Sequence, residues 1–256
     1  MTPILGVLGS SYRAAAATPP VTGYTAWMDA TQATKFTYSS SNIISQWTDA
    51  SGNGYNATQS TVANQPTRVT SAINGKPAVR FDGTNDFFNW VFSGLSSHTI
   101  FMVLRFPSAI TTSTSTQEIF VKDVTGHTNG FIAFGDVSGS ISNERVSWLT
   151  VYCPAGSYYN GGDLASGSHQ FNWKFNSSGY SAAIRYDKSA LSLSTVAGCG
   201  GFSSIDYPSN YAYLGAGATG AAPFIGDIGE ILIYTSALSA GDITSTENYL
   251  ATKWGL

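Results

Sequence analysis

The segment 224–256 constrains the fold more than any other part of the chain. It reads FIGDIGEILIYTSALSAGDITSTENYLATKWGL and opens with an apolar run over Ile225–Tyr234. Strict alternation along this run places large side chains on both faces: Ile231 and Ile233 on one, and Ile228, Leu232 and Tyr234 on the other. A strand that is apolar on both faces is usually covered on both sides. We therefore predict that this strand lies in the middle of a sheet.

A helix is predicted directly after this strand. Ser239 can cap its first turn, and Asp242 lies three residues later, as in a capping box. Lys253 falls in the last turn and Gly255 follows it, which is typical of a helix end. Helical spacing gives one narrow apolar stripe, made of Ile243, Leu250, Ala251 and Trp254. The stripe predicts that the helix packs on the rest of the domain.

The chain between Gly23 and this segment is predicted to be all-β. Short apolar runs alternate with turn signals, such as the Asn74-Gly75 pair, as expected for a sandwich or a barrel. Two longer connections, Cys153–Ser168 and Gly198–Asn210, are rich in Gly, Ser, Tyr and Asn. Loops of this length in a compact domain are often functional.

Composition excludes several classes of function. Charged residues make up only 11% of the chain, the net charge is −3, and the 12 basic residues form no cluster, which argues against nucleic-acid binding. No run of apolar residues is long enough for a membrane span. Cys153 and Cys199 lack the spacing of a zinc site. We expect free thiols, although the sequence also leaves pairing open.

Three sequence blocks carry a resemblance to a known family. They are Trp47–Gln59 (WTDASGNGYNATQ), Asn74–Gly83 (NGKPAVRFDG) and Gly226–Leu256 with its closing YLATKWGL. Together they resemble the laminin-G-like, concanavalin A-like jelly-roll superfamily. The resemblance implies a two-sheet antiparallel jelly-roll sandwich with one short C-terminal helix, extending over residues 21–256.

Residues 1–20 differ in composition from the rest and are predicted to form an N-terminal docking arm. The candidate docking side chains are Ile4, Leu5, Val7, Leu8 and Tyr12. A strand packed on its own sandwich is the alternative. The opening of the arm also resembles the starts of tailed-phage appendage and decoration proteins. We therefore expect contacts with other virion proteins through this arm, in a homo-oligomeric or multi-copy assembly.

These interpretations predict a non-enzymatic virion structural or adhesion protein, used as a capsid decoration, fibre or tail appendage. A host-surface glycan is a candidate ligand. A secreted, extracellular carbohydrate-binding module is the main alternative, and a glycoside hydrolase is the third.

The sequence offers no convincing catalytic carboxyl pair. Glycosidases need two carboxyl groups at a defined separation, and related glucanases carry a Glu-x-Asp-x-x-Glu strand motif. Here Asp227 and Glu230 are spaced correctly, but Ile225 occupies the first glutamate position. Residues three apart on a regular strand face opposite sides, so this pair cannot converge without a bulge. We therefore predict no catalytic residue. Glu230 is expected to have a structural role, either capping buried backbone groups or pairing with an arginine inside the sandwich.

Two weaker binding hypotheses concern calcium and sugar. No cofactor is required, but Asp49, Asn53 and Asp227 offer the oxygen ligands that calcium prefers. Asx-turns within their own loops are the alternative for the first two. In the long connections, aromatic residues adjoin polar ones and form the candidate ligand-binding set: Tyr158, Tyr159, Asn160, Asp163 and Tyr207. Protein contact or loop packing is the alternative for this set.

Overall fold

The computed structural model describes residues 18–91, 95–111, 114–121, 131–134, 146–149, 156–159, 162–178, 181–195, 211–217 and 220–256. Strands in these ranges are β1 (Ala26–Asp29), β2 (Phe36–Ser40), β3 (Ile43–Trp47), β4 (Ala57–Thr58), β5 (Thr67–Ile73), β6 (Lys76–Asp82), β7 (Phe88–Val91), β8 (His98–Phe106), β9 (Gln117–Val121), β10 (Phe131–Phe134), β11 (Val146–Leu149), β12 (Gly156–Tyr159), β13 (Gly167–Asn176), β14 (Ser181–Tyr186), β15 (Ser189–Ala190), β16 (Ser194–Thr195), β17 (Tyr211–Leu214) and β18 (Ile225–Tyr234). Helix α1 spans Ala240–Trp254, and two short 3₁₀ turns lie at Ala33–Lys35 and Val62–Asn64.

The strands form two layers that face each other. The first sheet runs β5-β6-β18-β8-β13-β14, with β1 beside the second half of β18 and β15 at the β14 edge. The second sheet runs β2-β3-β4-β7-β17-β9-β10-β11-β12-β16. One residue pair, Ile43 and Thr67, joins them at one side. Every pairing between these strands is antiparallel, which confirms the predicted all-β sandwich.

Alternation along each strand sends one set of side chains between the sheets. Ile100, Met102 and Leu104 of β8 enter this core from the first sheet, while Trp47 and Trp90 enter it from the second. All five are almost completely buried. Their neighbours along each strand face outward, so each sheet also has an outer face whose residues the sequence alternation specifies.

Strand β18 lies in the middle of the first sheet, as predicted, but its faces change partway along. The register against β8 shifts between Ile228 and Glu230, so Gly229 is an extra residue in a bulge. Beyond the bulge, Ile231 and Ile233 join Ile228 in the core between the sheets. Strict alternation had placed Ile228 on the other face, and that assignment is wrong because one inserted residue reverses the facing.

Helix α1 covers the outer face of the first sheet and confirms the predicted capping. The Ser239 side chain accepts a hydrogen bond from the Asp242 backbone N–H, and Gly255 ends the helix in the left-handed conformation. The predicted stripe is buried against the sheet, together with Thr246 and Glu247. A second apolar cluster thus forms outside the sandwich, with Phe101 and Val103 beneath the helix.

A buried charged group holds the end of this helix. The Glu230 carboxylate accepts hydrogen bonds from the indole N–H groups of Trp27 (2.7 Å) and Trp254 (2.6 Å). The Lys253 ammonium lies 2.8 Å from both Glu230 and Asp29. Burial raises the pKa of Glu230, and the neighbouring Lys253 charge opposes this shift. Glu230 therefore joins β1, β18 and α1. Its partners are side chains on the outer face of the first sheet, including two indoles and a lysine, not the backbone groups or the arginine inside the sandwich that the sequence predicted.

Candidate functional site

The outer face of the second sheet carries a line of uncharged polar side chains, here called the polar row. Its members are cross-strand neighbours on β2, β3, β4, β7 and β17: Thr37, Gln46, Thr58, Asn89 and Tyr213. Each faces away from the core, because the next residue on its strand is a core residue, such as Trp47 or Trp90. Five adjacent strands, drawn from three separate parts of the chain, thus align their polar groups in one direction.

Most of the polar row is accessible to solvent. Thr37 and Thr58 are exposed, and Gln46 and Asn89 are half-buried, whereas Tyr213 is buried beside Phe87. The Gln46 amide donates to the Thr48 hydroxyl at 2.9 Å. Val91, at the end of β7, is 56% exposed and adds an apolar surface beside Asn89. The row therefore presents hydroxyl and amide groups without any charged side chain among its members.

A polar rim borders the row where β6 passes into β7. Phe87 is buried against Tyr213, with ring centroids 6.0 Å apart, so the turn before β7 is fixed to the end of the row. In that turn, the Asn85 amide donates to the Asn64 side-chain oxygen at 3.3 Å. The rim thus adds further amide groups next to the row.

The rim also contains two carboxyl groups. The Asp86 side chain is buried and accepts a hydrogen bond from the Asp82 backbone N–H at 3.0 Å. Burial, reinforced by the charge of Asp82, raises the pKa of Asp86 to about 6. Asp82 itself is exposed, and its carboxylate accepts from the backbone of Thr84. The pair combines a carboxyl that stays protonated in weak acid with an exposed neighbour.

Asp227 and Glu230 share the outer face of the first sheet because of the Gly229 bulge. The bulge that convergence required is therefore present. The Asp227 carboxylate is held by Arg80 and Arg105, and Glu230 lies beneath helix α1. Both carboxylates thus have protein partners in the described part of the chain.

The predicted calcium ligands are not brought together as one set. Asp49 is buried in its own loop, where its carboxylate accepts from the backbone N–H groups of Trp27, Ser51 and Tyr55. Asn53 donates from its side chain to the Thr25 carbonyl at 3.0 Å. Asp227 pairs instead with two arginines on the first sheet. Over the described ranges, no three His, Cys, Asp or Glu side chains are placed to hold a metal ion.

The described part of the structure does not bring the predicted ligand-binding residues together as one site. Tyr158 and Tyr159 belong to strand β12, which pairs with β11 and β16, so they do not lie in a loop as predicted. Asp163 is exposed, and Asn160 and Tyr207 lie outside the described residues. The arm residues Ile4, Leu5, Val7, Leu8 and Tyr12, and both cysteines, Cys153 and Cys199, also lie outside them. These assignments stay predictions.

Neither a protein-family model nor a curated protein matches this sequence. Among solved structures, Trypanosoma rangeli sialidase in complex with sialic acid is similar at a TM-score of 0.60 and 14% identity, over 92% of this chain and 34% of that one. Domain 4 of AbnA, a GH43 extracellular arabinanase from Geobacillus stearothermophilus, in complex with arabinotriose, gives a TM-score of 0.52 at 14% identity, over 88% and 98%. An arabinofuranosidase complexed with arabinofuranosyl-alpha-1,2-xylobiose gives 0.58 at 17%, over 83% and 51%.

The chain spans about a third of the sialidases and about half of the arabinofuranosidase, but almost all of the arabinanase domain. At these identities the likeness shows a common sandwich fold. The matched structures come from carbohydrate-active proteins, and this finding contradicts the predicted virion structural role and the prediction that the chain is not an enzyme. No helix in the described part of the chain is long and apolar enough to cross a membrane.

Proposed function

We propose that this chain is a secreted carbohydrate-binding domain that holds a neutral glycan on its polar row. The observation that carries the proposal is the alignment of Thr37, Gln46, Thr58 and Asn89 across adjacent strands, on a face without charged members. Hydroxyl and amide groups exchange hydrogen bonds readily with sugar hydroxyls, because each can both donate and accept. The likeness to an arabinanase domain in complex with arabinotriose supports this reading.

The dimensions of the row suit an extended oligosaccharide. Neighbouring strands lie about 4.8 Å apart, so the four accessible members of the row, on four adjacent strands, span roughly 14 Å. One strand spacing is close to the length of one sugar ring. A glycan lying across the strands therefore meets a new side chain at each sugar unit, with Val91 as an apolar contact for a ring face. We also propose that the chain belongs to the laminin-G-like, concanavalin A-like superfamily that its three sequence blocks resemble.

Calorimetric titration with arabinotriose tests the polar row. Asn89→Ala removes the half-buried amide of the row on β7, and we expect affinity to fall by about three- to tenfold, the value of one hydrogen bond. Asn248→Ala is the matched control, because Asn248 is exposed on helix α1, which packs on the other sheet. Equal arabinotriose affinity of the two variants would refute binding at the polar row.

Glycoside hydrolysis is a second candidate function, favoured by the rim carboxyls. A glycosidase needs a protonated acid near an ionised carboxylate, and Asp86, with its pKa raised to about 6, lies beside the exposed Asp82. We expect release of reducing sugar from arabino-oligosaccharides to disappear in Asp86→Asn and to persist in Asp242→Asn, which changes a half-buried carboxyl on helix α1. Binding of arabinotriose without any sugar release would exclude this second function.

A further inference from the structure

Two arginines on the outer face of the first sheet share one buried carboxylate. Arg80 on β6 contacts Asp227 with both Nε (2.7 Å) and Nη2 (3.0 Å), and Arg105 on β8 contacts it with Nη1 (3.1 Å). The Asp227 side chain is 1% exposed, whereas those of Arg80 and Arg105 are 45% and 36% exposed. We call Arg80 and Arg105 the arginine pair.

The arginine pair carries one positive charge more than its buried partner neutralises. Two other arginines, Arg185 and Arg68, have different kinds of partner. Arg185 donates from Nε and Nη2 to Glu247, so one cation pairs with one anion. Arg68 donates to a backbone carbonyl and lies over the Phe36 ring. Within the described ranges, two guanidinium groups converge on one carboxylate at Asp227.

Most of the hydrogen-bond donors of the pair point away from Asp227. A guanidinium has five N–H donors; Arg80 directs two of them to the carboxylate, and Arg105 directs one. The partly exposed pair belongs to a face of the sheet that continues to Thr67 on one side and Ser168 on the other. Both of these flanking residues are half-buried and carry a hydroxyl group.

One further charge lies close to the pair. Asp82 is two residues after Arg80 on the same strand and faces the same side. Its carboxylate accepts hydrogen bonds from the backbone N–H groups of Thr84 and Asn85, at 2.8 and 3.3 Å. These bonds direct one oxygen of Asp82 into its own turn. The face around Arg105 and Ser168 is thus the more positive part of the cluster.

We propose that the arginine pair binds the carboxylate of an acidic sugar, such as a uronic acid unit, at a site separate from the polar row. A guanidinium matches a carboxylate geometrically, because two parallel N–H groups meet two oxygens. Asp227 fixes both guanidinium groups before the ligand arrives, which reduces the entropy lost on binding. The choice of a sugar as the ligand rests on the proposed carbohydrate-binding function. The site itself lies on the first sheet and does not depend on the polar row.

Calorimetry with the full chain and a trigalacturonate ligand tests the proposal. Arg105→Gln is the first variant, because Asp227 keeps its two hydrogen bonds from Arg80. We expect trigalacturonate affinity to fall by about tenfold or more, the value of a charge-assisted hydrogen bond. Arabinotriose affinity is expected to stay unchanged. Lys188→Gln is the matched control, since it removes one positive charge from an exposed residue that binds Asn248.

Arg105→Lys keeps the charge beside Asp227 and removes the planar fork. If Arg105→Gln lowers the unfolding midpoint, this second variant carries the test, and we expect it also to lose trigalacturonate affinity. Sodium acetate and a sulfated trisaccharide are the remaining probes. Acetate binding as tightly as trigalacturonate, or the sulfated sugar binding more tightly, would contradict a site for uronic acids.

The outcomes separate this inference from the proposed function. Binding of arabinotriose without binding of trigalacturonate overturns the arginine site and leaves the polar row intact. Arginine-dependent binding of trigalacturonate without binding of arabinotriose supports the site and overturns the polar row. Equal trigalacturonate affinity of the Arg105→Gln and Lys188→Gln variants overturns the site as well.

Discussion

Gly229→Ala is expected to destabilise the contact between helix α1 and the first sheet. A Cβ atom at this position would lie 2.8 Å from both Cη2 and Cζ3 of Trp254 and 3.0 Å from Cδ1 of Ile73. Ordinary carbon contacts are about 3.5–4.0 Å, so the indole must move by more than half an ångström. It is not free to do so, because its N–H is bound to Glu230 at 2.6 Å.

The magnitude follows from two opposing effects. Overpacking a fixed core site costs about 1–3 kcal/mol, and the lower entropy of the unfolded chain returns about 0.4–1 kcal/mol on replacing glycine by alanine. We therefore expect a net loss of about 1–2 kcal/mol in the free energy of unfolding. For a chain of this size, that loss lowers the midpoint of thermal unfolding by ~4 °C.

Thermal unfolding followed by near-ultraviolet circular dichroism measures this change at the tryptophans. Gly241→Ala is the control, because it is a helical glycine whose added Cβ would have only the Ser239 hydroxyl nearby, at 3.8 Å. That variant should gain up to about 1 kcal/mol, the helix propensity of alanine over glycine. Combining Gly229→Ala with Trp254→Leu should relieve the clash. The double variant should therefore lose less free energy of unfolding than the two single variants lose in sum. A neutral Gly229→Ala variant would refute the reasoning.

Three further predictions concern pH and capping. Burial lowers the pKa of His98 to about 4, so between pH 4 and 6.5 the unfolded chain binds a proton that the folded chain excludes. The free energy of unfolding, measured with urea, should therefore fall as the pH is lowered from 6.5 towards 4, and it should fall less in His98→Gln. The pKa of Asp86 is raised to about 6, which has the opposite sign: relative to Asp86→Asn, the native chain should lose stability as pH rises from about 4 to 6, and a constant difference would contradict the burial argument. Ser239→Ala should cost about 1 kcal/mol by removing the cap of helix α1, and no loss would show that packing alone fixes the helix start.

Local sequence signals predicted the helix and the position of the last strand. Ser239, Asp242 and Gly255 act within one or two turns of helix, so their effect does not depend on distant parts of the chain. The apolar run over Ile225–Tyr234 specified a central strand for a similar reason. The facing of Ile228 could not be read from alternation, because the bulge depends on how Gly229 fits beneath Trp254. A glycine within a strand was the available signal.

Local sequence signals could not predict the two candidate sites. Asn89 meets Thr58 through pairing of β7 with β4, and nothing in the intervening residues encodes that register. Arg80 and Arg105 reach Asp227 across separations of 147 and 122 residues. Such groupings appear only once the strand order is known, whereas the predicted sites were aromatic residues in long loops. Of the predicted ligand-binding residues, Asn160 and Tyr207 lie outside the described structure.

The central place of β18 has a consequence for how the chain folds. Strand β18 pairs with β1, β6 and β8, so β1 and one edge of each of β6 and β8 have no partner until residues 225–234 are made. Contacts of this separation make folding slow. Until they form, β6 and β8 expose open edges that invite pairing between molecules. A fragment that stops before Ile225 should therefore aggregate during expression, whereas the intact chain closes its first sheet in a single late step.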